Sequence, residues 1–124
     1  MSAAAIRPVI LIVEDELLIR MNAVAMIEEA GYDAIEATNA DEAIAILEAR
    51  LDIRLVFTDI QMPGAMDGLK LAAAIRNRWP PIKIVATSGH HAIRDGELPE
   101  GSVFLQKPYN ATTIGRVLNE MIFQ

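Results

Sequence analysis

The chain contains no cysteine, which excludes a disulfide framework, a thiolate metal centre and a cysteine nucleophile. Aromatic residues make up only 5% of it, and its 11 Lys and Arg are outnumbered by 17 Asp and Glu. The resulting net charge of −6 argues against direct nucleic-acid binding, because neutralising a phosphate backbone takes clustered cations. Long apolar runs are missing as well. The stretch Val9 to Val13 runs straight into Glu14-Asp15-Glu16, far too short for a signal-peptide core or a membrane span. Together these absences predict a soluble, cytoplasmic protein with no direct nucleic-acid or membrane contact.

What is present suits a single packed α/β domain over residues 1–124. The length fits one domain with a real core, and the apolar 52% is dominated by Ala, Ile, Leu and Val, the residues of helices packed on a buried sheet. Strand-like runs alternate with helical patterns, the signature of a parallel sheet with crossover helices. Val9–Val13 reads as a strand apolar on both faces. A helix is expected from about Glu16 to Ala30, with Leu17, Met21, Val24 and Ile27 near helical spacing and Gly31 at its C-terminal end. Tyr32–Ala37 reads as a strand, and Asn39 with Glu42 as a capping box opening a helix to about Arg50. Leu55–Thr58 forms a third strand delivering Asp59, and a helix over Gly68–Arg78 is stopped by Trp79-Pro80-Pro81. Ile82–Ala86 and Val103–Leu105 are the remaining strands. A last helix behind an Asn110 cap carries Ile114, Val117, Leu118, Met121 and Ile122 on one face.

In such sheets ligands bind outside the carboxyl ends of the strands, so the residues following them should meet. They are Glu14 and Asp15, then Asp59, then Thr87 and Ser88, then Lys107. Three carboxylates within roughly 5 Å of one another would each repel their neighbours by about 3 kcal/mol at an effective dielectric near 20, or about 10 kcal/mol in total. A hard divalent cation with oxygen ligands relieves that repulsion, and Mg²⁺ is the expected cofactor. Metal, Ser88 hydroxyl and Lys107 ammonium around one carboxylate are the parts of a phosphoryl acceptor, with Asp59 as the nucleophile.

The segments Ile12-Val13-Glu14-Asp15-Glu16, Phe57-Thr58-Asp59-Ile60-Gln61-Met62-Pro63-Gly64 with Asp67-Gly68, Thr87-Ser88-Gly89 and Lys107-Pro108 together resemble the ordered motifs of two-component receiver domains. Each piece alone is common; all of them in this order, over essentially the whole chain, are specific. The resemblance implies a flavodoxin-like doubly wound (βα)5 fold with strand order 2-1-3-4-5. It implies that Asp59 is phosphorylated, that Asp15, Asp59 and the main-chain carbonyl of Gln61 ligate Mg²⁺, and that Glu14 acts through a water. Ser88 is the implied switch hydroxyl rather than Thr87, since the small Gly89 follows it. Lys107 would pair with the phosphate through a loop with a cis Lys107–Pro108 bond, Phe104 would be the aromatic switch, and Gln61 and His90 would tune phosphate loss. The implied donor is a sensor histidine kinase or histidine phosphotransfer protein, and output would pass by contact to an unidentified downstream protein. Such a chain is a phosphoacceptor switch, at most self-catalysing its phosphorylation and dephosphorylation, rather than an enzyme.

Plainer readings exist for each residue. Glu14 and Asp15 could simply complement the dipole of the next helix, Asp59 could be a polar strand end, Ser88 a turn former, Lys107 a solvated charge and Phe104 a core residue. His90 and His91 could suggest a metal or phosphohistidine site, but adjacent rings rarely face one ion. A flavodoxin-like anion binder is disfavoured because Glu14-Asp15-Glu16 repels phosphate where such a loop should donate to it. A phosphohydrolase would place its nucleophilic Asp after the first strand, and a pseudo-receiver would not need the intact acid set. Two departures from the receiver pattern stand out. Glu14 replaces the commoner Asp, which shifts metal affinity. The segment from His90 to Gly101 is poor in apolar positions and carries Gly96 and Pro99, so helix four is expected to be short or irregular, with fast amide exchange.

Overall fold

The computed structural model describes residues 7–62, 64, 66–89, 93, 94 and 96–124. In chain order these form β1 (Val9–Val13), α1 (Leu17–Glu29), β2 (Asp33–Ala37), α2 (Ala40–Ala49), β3 (Ile53–Asp59), α3 (Gly68–Arg78), β4 (Lys83–Ser88), β5 (Val103–Gln106) and α4 (Ala111–Phe123). The strands pair in parallel in the order β2-β1-β3-β4-β5, the flavodoxin-like arrangement that the motifs implied.

Alternation along the central strands builds two cores. Leu11, Val13, Val56 and Ile84 point to one face and are covered by Ala43 and Leu47 of α2 and by Leu71 and Ile75 of α3. Ile10, Ile12, Leu55, Phe57 and Val85 point to the other, against Ala23 and Ile27 of α1 and Ile114, Val117 and Leu118 of α4. Burying one such aliphatic side chain contributes about 1.5–3 kcal/mol, so a sheet apolar on both faces is held only by covering both.

The helix ends follow local chemistry. Asn39 caps α2 by accepting from Glu42 N–H at 2.8 Å, but the Glu42 carboxylate returns to the Thr38 N–H at 2.9 Å, one residue before the position a strict capping box would use. Asn110 caps α4 through Thr113 N–H at 2.8 Å, and Asp67 caps α3 through Lys70 N–H at 2.9 Å. Gly31, at φ +106°, turns the chain out of α1 in a conformation that favours glycine.

Three expectations need adjustment. α1 exists, but Leu17 and Met21 are 57% and 55% exposed; its buried residues are Ala23 and Ile27, because the sheet meets α1 mainly through its later turns. β4 is longer than its apolar run, continuing through Thr87 and Ser88, whose main chain still pairs with β5. Finally, the (βα)5 pattern holds in its strands and in four helices, while the described residues between β4 and β5 contain no helix. Gly96 and Gly101 adopt positive φ there, and the stretch is fastened by Arg76 donating to Glu100 O at 2.7 Å and by Leu98 packing on the α2–α3 side. The tuning role given to His90, the alternative for His91, and the rest of the helix-four expectation fall on His90, His91, Ala92 and Asp95, which lie outside the described residues.

Candidate functional site

The carboxyl ends of β1, β3, β4 and β5 converge because β1 pairs with β3 as far as Val13 and Thr58, and the backbones of the sheet stay laced together at the strand ends. Glu14 N–H donates to Ala37 O at 3.0 Å, Ile60 N–H to Thr87 O at 2.9 Å and Lys107 N–H to Ser88 O at 2.9 Å. The register pairs Asp59 with Thr87 and Ser88 with Gln106, so Asp59, Ser88 and Lys107 arrive as neighbours.

Glu14, Asp15 and Asp59 each offer a carboxylate oxygen within 4.8 Å of the others. Glu14 and Asp59 are buried, whereas Asp15 is exposed. Lys107 reaches both buried acids, its Nζ lying 2.9 Å from Glu14 Oε1 and 3.3 Å from Asp59 Oδ2. The other oxygens are also engaged: Glu14 Oε2 accepts from Glu16 N–H at 3.1 Å, and Asp59 Oδ1 from Gln61 N–H at 3.3 Å.

Burial lifts the Glu14 carboxyl above its ordinary value, outweighing the Lys107 ammonium and the Glu16 N–H that pull it down, and the Asp59 charge adds to the rise. Burial pulls the Lys107 ammonium down, but its bond to Glu14 and the nearby Asp59 charge prevail and hold it above the usual lysine range. The Tyr109 hydroxyl is pushed up to about 12, by burial first and by the Glu14 and Asp59 charges second.

An all-oxygen set of carboxylates this close together fits a small hard cation, whose opposed ligands stand about 4 Å apart at Mg²⁺–oxygen distances. Glu14, Asp15 and Asp59 are the residues that could hold it, with the Gln61 main chain alongside.

The remaining expected residues are placed as follows. Ser88 and Thr87 are both buried, Ser88 completely, at the end of β4. The Lys107–Pro108 bond is cis. Phe104 pairs in register with Ala86 on the outermost strand and is only partly buried, so it stands apart from both cores.

Three further residues bear on the site. A Cβ on Gly68 would overlap the main-chain oxygen of Asp59 and lie 2.6 Å from Ile60 Cα, so the first turn of α3 is pressed against the backbone that carries Asp59. Arg20 donates to the main-chain oxygen of Glu14 at 3.0 Å. Tyr109 packs edge-on against Phe57 with ring centroids 5.4 Å apart. A glycine directly after a helix cap and an arginine one turn beyond an acidic pair are signals that sequence could have offered.

The family model for the response regulator receiver domain matches residues 10–119. The nitrogen assimilation regulatory protein NtrX of Azorhizobium caulinodans is 38% identical over 106 residues, covering 82% of this chain and 23% of that protein. The sensor kinase CckA of Brucella abortus is 32% identical over 117 residues, covering 91% of this chain and 12% of that protein. The chain thus spans less than a quarter of the length of either relative. Among solved structures, a response regulator receiver protein from Sinorhizobium medicae superposes with a TM-score of 0.86 at 25% identity, covering 94% of each chain.

Proposed function

The chain belongs to the response-regulator receiver family, and from that premise we propose that it accepts a phosphoryl group on Asp59 from a histidine kinase or histidine phosphotransfer protein. The observation that supports this most directly is the setting of Asp59: a buried carboxylate with a lysine ammonium at 3.3 Å from one oxygen, a main-chain N–H at 3.3 Å from the other, and two further acids beside it. An oxygen of Asp59 attacks the phosphorus of the donor's phosphohistidine. The phosphorus–nitrogen bond breaks with its electron pair left on the imidazole, and an acyl phosphate forms.

Within this reading Asp15, Asp59 and the Gln61 carbonyl would hold Mg²⁺, and Glu14 would act through a water. When bound, the ion neutralises charge on the transferring phosphoryl oxygens. Lys107 then exchanges its contact with Asp59 for one with the phosphoryl group, and the Ser88 hydroxyl donates to another of its oxygens. Movement of Ser88 toward the phosphate, accompanied by rotation of the partly buried Phe104, would carry the signal to the outer strand and so to a downstream protein by contact. Among the described residues no helix is long and apolar enough to cross a membrane.

The donor has a landing surface. Leu18, 74% exposed, shares a groove beside the site with Ile19, Asn22, Lys107, Pro108 and Tyr109, and Leu17 and Met21 extend the apolar surface along α1. The test is intact mass after incubation with a small phosphodonor and Mg²⁺, comparing the native chain with Asp59→Ala. A single phosphoryl adduct on the native chain alone is expected. No adduct on a folded, Mg²⁺-binding protein, even with a histidine kinase supplied, would overturn the reading in favour of a pseudo-receiver.

A further inference from the structure

Arg20 lies on the first turns of α1, outside every motif that defines the site, yet it is the most enclosed arginine in any described ion pair, its side chain 13% exposed. Its guanidinium is held at two points. Nε donates to Glu36 Oε1 of β2 at 3.0 Å, and Nη1 donates to the main-chain oxygen of Glu14 at 3.0 Å. Its own N–H donates to Glu16 O at 2.9 Å, fixing where α1 begins.

The target of Nη1 matters because a carbonyl oxygen defines a peptide plane, and the plane of Glu14 O is the one joining Glu14 to Asp15. Glu14 is secured independently: its N–H by Ala37 O and its carboxylate by Lys107 and Glu16 N–H. Asp15 is not. Among the described residues its carboxylate has no hydrogen-bond or ion-pair partner, so the direction in which it projects follows from the two peptides that flank it, the one after it held by Glu16 N–H on Glu14 Oε2 and the one before it by Arg20. We infer that Arg20 is a positioning residue, setting the Glu14–Asp15 peptide plane so that the Asp15 carboxylate is presented to the cation beside Glu14 and Asp59.

The charge of Arg20 and its hydrogen bond act in opposite directions on cation binding. As a positive charge near three carboxylates it disfavours a second cation, so on Coulomb grounds alone its removal strengthens Mg²⁺ binding. As a clamp it pre-organises a ligand, so its removal weakens binding. Lysine keeps the charge but presents its donors from one tetrahedral nitrogen in place of the planar fork that spans Glu36 and Glu14.

The inference rests on the proposed Mg²⁺ site and is tested by calorimetric titration of the whole protein with Mg²⁺ alone, for the native chain, Arg20→Met, Arg20→Lys and Arg116→Met. Arg116 pairs with Glu120 on the exposed surface of α4 and controls for loss of one positive charge. Both Arg20 variants are expected to bind Mg²⁺ about tenfold more weakly, the scale on which residues that orient metal ligands act, with Arg116→Met unchanged. Arg20→Lys, which retains the charge, keeps the test open if Arg20→Met does not fold. Native-like or tighter binding by an Arg20 variant, or equal weakening by Arg116→Met, overturns the clamp while leaving the Mg²⁺ site intact. Absence of binding by the native chain overturns the site itself.

Discussion

Lys107 Nζ stands 2.9 Å from Glu14 Oε1, closer than the 3.3 Å that separates it from Asp59, so one ammonium is shared between two buried acids and leans toward the longer of them. The Glu14 carboxylate, just after β1, and the Lys107 ammonium, just after β5, are joined from positions 93 apart in the chain. The pairing keeps two neighbouring carboxylates tolerable without a cation.

Removing that ammonium should therefore expose the repulsion. Lys107→Met is expected to destabilise the fold by on the order of 3 kcal/mol at neutral pH in the presence of a chelator, because it strands buried charge. Added Mg²⁺ should recover part of the loss. Urea unfolding of native and variant chains, with chelator and with Mg²⁺, checks both halves, and a variant equally unstable in each would count against shared compensation.

Gly68→Ala offers a prediction whose sign is unusual. In an ordinary helical position this change stabilises by about 1 kcal/mol. Here the new Cβ meets the backbone of Asp59 and Ile60, and the expected result is destabilisation of about 1–3 kcal/mol, typical of overpacking, with slowed phosphoryl uptake as Asp59 is displaced. Unfolding midpoints together with the time course of adduct mass measure the two effects.

Tyr109 sets a pH window. Its hydroxyl is raised from an ordinary value of 10.0 to about 12, so the folded state holds this proton more tightly than the unfolded chain. The stability so contributed is complete below pH 10 and is lost as pH rises through about 12. Tyr109→Phe should flatten the decline in that window. Tyr32, raised by burial, supplies the remaining phenolate signal. Alkaline denaturation followed by phenolate absorbance decides it.

Ser88 and Thr87 are adjacent, both buried, and separable by function. If Ser88 donates to the phosphoryl group, Ser88→Ala should slow phosphoryl uptake by up to ~10²-fold, the scale of one oxyanion donor, with Mg²⁺ affinity retained. Thr87→Val should do much less. The reverse order, read from adduct mass against time, would move the switch hydroxyl to Thr87.

The sheet was legible in the sequence because its central strands are apolar on both faces, a pattern that only full coverage by helices satisfies. The caps at Asn39 and Asn110 were legible for a related reason, since a short polar side chain one residue before a helix has few better partners than the free N–H groups ahead of it. Leu17 and Met21 lie at helical spacing with Val24 and Ile27, but that spacing alone left their direction open. Helical spacing states that a stripe exists but not which stripe faces the sheet, and α1 turns these residues outward beside the site.

The sequence by itself determined the class of fold, the order of its elements and the chemical types at the carboxyl end of the sheet, because periodicity and local capping are short-range properties. It determined that acids, a hydroxyl and a lysine would lie at the carboxyl ends of particular strands. Only the tertiary structure decided which of them touch: that Lys107 leans to Glu14, that Gly68 presses on Asp59, and that Arg20 grips the peptide before Asp15. Those contacts join residues up to 93 positions apart, and their distances are set by how the packed layers settle rather than by any local preference of the chain.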